Sequence, residues 1–123
     1  MIQEVSVHVK SPGLPLPPIV DWEIFEGEVR CAEAVDASEA SDLRIWDVHF
    51  SPGGRTTMHS HTVDQVLYIA AGHGFVQIEG EDPRPVRAGD LVVIRAGERH
   101  AHGATETTAM HHLAVMTEGR DVL

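Results

Sequence analysis

His59 and His61 sit two residues apart, Gln65 follows four residues later, and His100 lies in a separate Gly-bounded segment. In an extended strand, residues i and i+2 project to the same side, so His59 and His61 present two imidazoles to one point. Imidazole nitrogens and an amide oxygen are ligands for divalent transition metals, and a set of this kind leaves coordination positions open for a substrate. The chain carries nine histidines in 123 residues, and seven of them (His59, His61, His73, His100, His102, His111 and His112) fall between His59 and His112. Histidine is uncommon as core filler and common as a metal ligand or proton carrier, so this clustering itself points to metal or acid–base chemistry.

The elements that must position these residues read as short strands. Leu43 to Phe50 alternates, with Trp46, Val48 and Phe50 on one face and Asp47 and His49 on the other. Ser51-Pro52-Gly53-Gly54 is a turn, and a second strand then carries His59 and His61. A third strand runs from about Asp64 to Ala71, with Gln65, Leu67 and Ile69 in even spacing. Gly72-His73-Gly74 reads as a tight reversal into Phe75 to Glu79. Leu91 to Ile94 is an apolar strand, His100 to Gly103 another, and Thr107 to Met116 the last. No 3.6-residue periodicity runs long enough for a substantial helix. Many short strands at this spacing indicate an all-β sandwich or barrel. In this pattern His102 shares the inward face of His100, and His112 shares a face with Met110, Ala114 and Met116. Both are candidate bases lining the interior, or else support the ligands by hydrogen bonding. His111 points outward, His73 falls in a turn, and His8 and His49 read as surface residues.

Upstream, Ile2 to Val9 reads as a short strand, and Ala32 to Asp42 as a surface loop or short helical turn. Pro12, Pro15, Pro17 and Pro18 forbid a helix and disfavour a central strand. Residues 1–20 are therefore expected to form an extended arm, and residues 21–123 a single barrel domain. Residues 11–20 would lie over their own barrel or cross to a second subunit of a homodimer.

The formal net charge of −10 repels nucleic acid. No apolar run approaches the ~20 residues of a membrane span. No basic-then-apolar leader is apparent, which leaves a cytoplasmic address as the expectation. Cys31 is the single cysteine and forms no intrachain disulfide. It reads as a buried, inert thiol.

The segments Gly53-x5-His59-x-His61-x3-Gln65-x6-Gly72 and Gly89-x5-Arg95-x-Gly97-x2-His100-x3-Ala104 resemble the two cupin motifs in every spacing. Gln65 replaces the common Glu, Arg95 a Pro and Ala104 an Asn. The resemblance implies a cupin (double-stranded β-helix, or jelly-roll) barrel binding one divalent metal ion per chain through His59, His61, Gln65 and His100. The neutral Gln65 would leave the ion its full +2 charge and favour an anionic or readily deprotonated ligand. Alternatively, water takes the place of Gln65, or the histidines are core residues of a cupin without metal.

A closer similarity is to small manganese cupins of the hydroxynitrile lyase type. It is carried by Phe50-Ser51-Pro52-Gly53-Gly54-Arg55-Thr56, Gly97-Glu98-Arg99-His100-Ala101-His102-Gly103-Ala104 and Thr108-Ala109-Met110-His111-His112-Leu113-Ala114. It implies C–C bond cleavage in a small hydroxy or carbonyl substrate, with manganese as the ion and His102 and His112 in the pocket. The same ligand set suits Fe, Co, Ni, Cu or Zn, and hence a dioxygenase of an enolisable substrate or a non-catalytic ligand-binding cupin. Trp46, on the inward face, is expected to reshape or shrink the pocket.

Overall fold

Alternating burial along the strands builds one curled antiparallel sheet, seen in a computed structural model that describes residues 7–123. The elements are β1 (Ile19–Val20), β2 (Phe25–Glu26), β3 (Val29–Val35), β4 (Leu43–Phe50), β5 (Arg55–Thr56) and β6 (Ser60–His61). They continue with β7 (Gln65–Ile78), β8 (Arg84–Arg87), β9 (Leu91–Ile94), β10 (His100–Ala104), β11 (Met110–Thr117) and β12 (Asp121–Val122). Strands run in the order β1-β3-β4-β11-β7-β10-β5-β2, with β8 and β9 also paired to β7, and β12 pairs with β6. The fold is all-β, and no helix among the described residues is long and apolar enough to cross a membrane.

The interior is lined by the inward set of each strand. Val29 and Cys31 of β3, Val48 and Phe50 of β4, Leu67 and Ile69 of β7, and Met110 and Ala114 of β11 form the apolar core. Beside them, five histidines (His59, His61, His100, His102 and His112) are buried in the same interior. Along β11, burial alternates strictly from Met110 to Met116, which turns His112 inward and His111 outward. Burial of Cys31 pushes its thiol up to about 12, so it stays protonated.

Four expectations need correction. Gly72-His73-Gly74 does not reverse the chain, because β7 runs through it, leaving β11 and β9 for β10 and β8. Glycine is required there by close approach: a Cβ on Gly72 would stand 1.9 Å from the Ala109 carbonyl oxygen, and one on Gly74 2.2 Å from that of Gly103. Ala32 to Val35 is strand, since pairing with β4 outweighs the weak β-propensity of Ala and Glu. The strand expected from Thr107 begins at Met110 and is not the last, because β12 follows it. Of the strand expected over Ile2 to Val9, residues 1–6 lie outside the described residues, and residues 7–9 form no strand.

His49 is also more enclosed than expected. Its ring stacks on that of His111, its cross-strand neighbour, with centroids 3.7 Å apart. Asp47, only 4% exposed, anchors this pair and the arm together. Its Oδ1 accepts the His111 Nε2–H at 2.5 Å, and its Oδ2 accepts the Gly13 N–H at 2.7 Å. The His49 Nε2 lies 2.9 Å from Oδ1 but off the hydrogen-bond direction. The arm is held on its own barrel further along, where Arg30 donates to the Pro17 carbonyl and the Cys31 N–H to that of Pro18.

Asp47→Ala strands two donors in a partly buried layer, so it should cost about 1–3 kcal/mol of stability and loosen the arm. Denaturant unfolding with hydrogen exchange at Gly13 checks this. An unchanged midpoint with Gly13 still protected contradicts it.

Candidate metal centre

His59 and His100 face each other across a two-bond bridge, His59 N–H to His100 O at 2.9 Å and His100 N–H to His59 O at 2.8 Å. This bridge joins the two distant segments and places their rings 4.3 Å apart, while the His59 and His61 rings stand 4.7 Å apart. The ring nitrogens of His59, His61 and His100 all lie within 4.8 Å of one another, and all three residues are buried.

Each ring is oriented by its outer nitrogen. The Nδ1 of His59 lies 2.8 Å from the Thr57 carbonyl, that of His100 2.9 Å from the Glu98 carbonyl, and that of His61 2.8 Å from Asp121 Oδ1. All three partners are acceptors, so each Nδ1 carries the proton and each Nε2 is left with a lone pair. The His59 and His61 Nε2 atoms are then 3.2 Å apart with two lone pairs in conflict. One cation at about 2.1 Å from each nitrogen, a normal metal–imidazole distance, resolves that conflict. His100 Nε2 is buried with no hydrogen-bond partner. Gln65, 5% exposed, turns its NH2 toward Met116 Sδ at 3.5 Å and leaves Oε1 buried without a donor. These orphaned acceptors fit a divalent ion, and all four ligating groups are neutral.

Asp121 was not anticipated. It reaches His61 through the β12–β6 pairing, sixty residues along the chain. The hydrogen bond to His61 holds its carboxyl below the usual carboxylate range. The only available signal was an acidic residue in a short tail segment.

His102 and His112 stand beside the cluster. The His102 ring is 5.7 Å from that of His59 and 5.0 Å from that of His112. Among the described residues, His102 Nδ1 and the His112 ring have no side-chain hydrogen-bond partner, the Leu113 backbone alone lying against His112. His112 is 1% exposed, and burial pulls its pKa down to about 3. Both histidines border a cavity of about 300 Å³ that also touches His59, His61 and Gln65. An aromatic wall closes one side. Trp22 meets Trp46 edge-on and stacks on Phe25, which meets Phe50 edge-on. Trp46 thus lines the cavity, beside Trp22.

The buried histidines make a pH prediction. Burial lowers His59 from 6.5 to about 4, His112 to about 3, and His100 and His102 in the same direction. Below pH 6.5 the unfolded chain therefore binds protons that the folded chain refuses. Stability of the metal-free protein should fall with falling pH, by ~1.4 kcal/mol per pH unit for each such histidine, until the folded values are reached. Thermal unfolding between pH 6.5 and 4.5 checks this, and a flat midpoint across that window contradicts it.

Three comparisons agree with the geometry. The Cupin domain model matches residues 46–116. The chain is 41% identical over 95 residues to an (R)-mandelonitrile lyase of Granulicella tundricola, covering 77% of this chain and 71% of that protein. It is 30% identical over 82 residues to an acireductone dioxygenase of Bacillus mycoides, covering 55% of this chain and 48% of that one. Among solved structures, a cupin-like protein from Thermotoga maritima superposes with a TM-score of 0.80 at 30% identity, over 88% of this chain and 85% of its own. With two motif segments joined by the His59–His100 bridge inside a curled all-β barrel, the chain belongs to the cupin family.

Proposed function

We propose that this cupin binds one divalent metal ion through the Nε2 atoms of His59, His61 and His100 and Oε1 of Gln65. The loaded site would cleave a C–C bond in a small hydroxy or carbonyl compound, in the manner of a hydroxynitrile lyase. The observation that carries the metal reading is the pair of deprotonated His59 and His61 Nε2 atoms 3.2 Å apart, beside two further buried acceptors with no donor. The lyase reading is supported by the 41% identity to a mandelonitrile lyase. Manganese is the ion we propose, on the resemblance to that group of cupins.

Bound there, the ion would supply a Lewis acid. The chain's own residues do the rest. Trp22, Trp46 and Phe25 give the substrate an apolar wall that excludes water. His112, neutral because it is buried, accepts the substrate hydroxyl proton on a ring nitrogen that no protein group occupies. As that proton leaves, the carbonyl forms and the C–C bond breaks. The departing anion, cyanide in the case of a cyanohydrin, then takes the proton from the imidazolium. His102 is the second candidate for this role.

The test is an anaerobic panel of cyanohydrins and hydroxy acids offered to metal-loaded and chelator-treated protein. Aldehyde or ketone release by the loaded protein alone is expected. Oxygen uptake with an enediol substrate, and no anaerobic cleavage, would favour the dioxygenase reading, which rests on the likeness to acireductone dioxygenase.

We also propose a homodimer. Leu14, Leu16 and Ile19 of the arm are 79%, 58% and 56% exposed, and Leu91 and Val93 of β9 are 67% and 68% exposed. Exposed apolar side chains in such number, on the arm and on β9, call for cover. Light scattering should give twice 13.4 kDa, and a monomer at micromolar concentration contradicts it.

A further inference from the structure

The reaction proposed above leaves one buried charge unused. Arg44 occupies the inward parity of β4 with Trp46, Val48 and Phe50, lines the same cavity as the candidate metal ligands, and is 8% exposed. In register it pairs with Met116, which pairs in turn with Gln65, so one row across β4, β11 and β7 runs from Arg44 to the cluster. Its Nη1 donates to the Ala40 and Leu43 carbonyls at 3.0 and 2.8 Å, which fixes the plane of the guanidinium without neutralising it. Among the described residues, no carboxylate forms an ion pair with it. Asp36 feels its charge only weakly, as the smallest of the influences that lower its carboxyl.

An enclosed cation without a counter-ion is costly, and the cost is recovered when an anion arrives. Of the five guanidinium N–H groups, Nη1 carries two, which leaves the Nε and Nη2 edge with no acceptor among the described residues. That edge is the fork that a carboxylate meets with two parallel hydrogen bonds. Glu33 and Glu118 border the same cavity and would repel a second negative charge. We infer that the cavity takes a small hydroxy- or oxo-monocarboxylate, its acid group on the Nε/Nη2 edge of Arg44 and its oxygen function facing His59, His61 and Gln65. The inference refines the proposed function by naming its substrate class.

Calorimetric titration tests it, with mandelate and 2-hydroxybutyrate set against their uncharged amides. Each is added to metal-loaded protein and to metal-free protein. The acids should bind at least tenfold more tightly than the amides in both forms, because Arg44 is present in both. Arg44→Gln should erase that preference with metal content unchanged, and Arg44→Lys should keep part of it, since ammonium supplies charge without the fork. Equal binding of acid and amide by the unaltered protein would overturn the inference without any variant, and so would a preference that survives in a folded Arg44→Gln protein. Failure to take up metal would instead overturn the proposed metal site, and the metal-free titration would still decide the role of Arg44.

Discussion

His112→Ala should keep its metal and its fold while turnover of a cleaved substrate drops by about 10²- to 10⁴-fold, the usual cost of losing a positioned general base. His112 is among the most enclosed of the described side chains, and its ring meets no side-chain hydrogen-bond partner among the described residues, only the Leu113 backbone beside it. A buried imidazole with an unmet hydrogen-bonding position is a poor structural element, so its place in the cavity argues for a ligand that visits it. It stands apart from the ligand cluster, on β11, and reaches it through His102 at 5.0 Å. Removing it should therefore leave metal uptake alone. Phe50, 5.5 Å away, lies against the imidazole and limits its rotation. A His112→Ala protein that loses metal would make His112 structural. One that keeps full turnover would pass the role of base to His102, whose own alanine variant should then show the loss.

His59→Ala and His100→Ala should each reduce metal content from about one ion per chain to near zero after dialysis. Substituting a residue that only orients a ligand costs ~10- to 100-fold in affinity, so removing a ligand itself should cost more. Asp121→Ala provides the intermediate case, because it leaves His61 in place and removes the acceptor that fixes its tautomer. The graded order, ligand variants weakest and Asp121→Ala between them and the unaltered protein, is the expected result of competition titrations with a chelator. His111→Ala, on the outer face of β11, should leave affinity unchanged. Full occupancy in both His59→Ala and His100→Ala would remove these residues from the site.

What the sequence made legible was local. Strand alternation was enough to join His59 to His61, and to turn His102 and His112 toward the same interior, because period-two geometry depends only on neighbours. What remained hidden was set by pairing between distant segments. Asp121 meets His61 only once β12 lies beside β6. Arg44 shares parity with Trp46, but nothing local distinguishes an arginine turned into a cavity from one at a strand end in water. Glycines misled in a specific way: Gly72 and Gly74 make room for neighbouring backbones, and that demand looks identical to a turn when only residue types are known. His49 was likewise read as a surface residue and His111 as simply outward-pointing, although the β4–β11 register stacks the two imidazoles and sets the Asp47 carboxylate beside them.

The central claim is that one metal ion sits where three deprotonated Nε2 atoms converge. Anomalous X-ray diffraction at the metal absorption edge, from crystals of natively purified protein, tests it most directly. The account predicts one strong peak per chain, at roughly 2.0–2.3 Å from the Nε2 atoms of His59, His61 and His100, with Gln65 Oε1 next nearest. A metal-replete crystal whose peak lies elsewhere, or whose His59 and His61 Nε2 atoms are bridged by a proton with no peak between them, would contradict it.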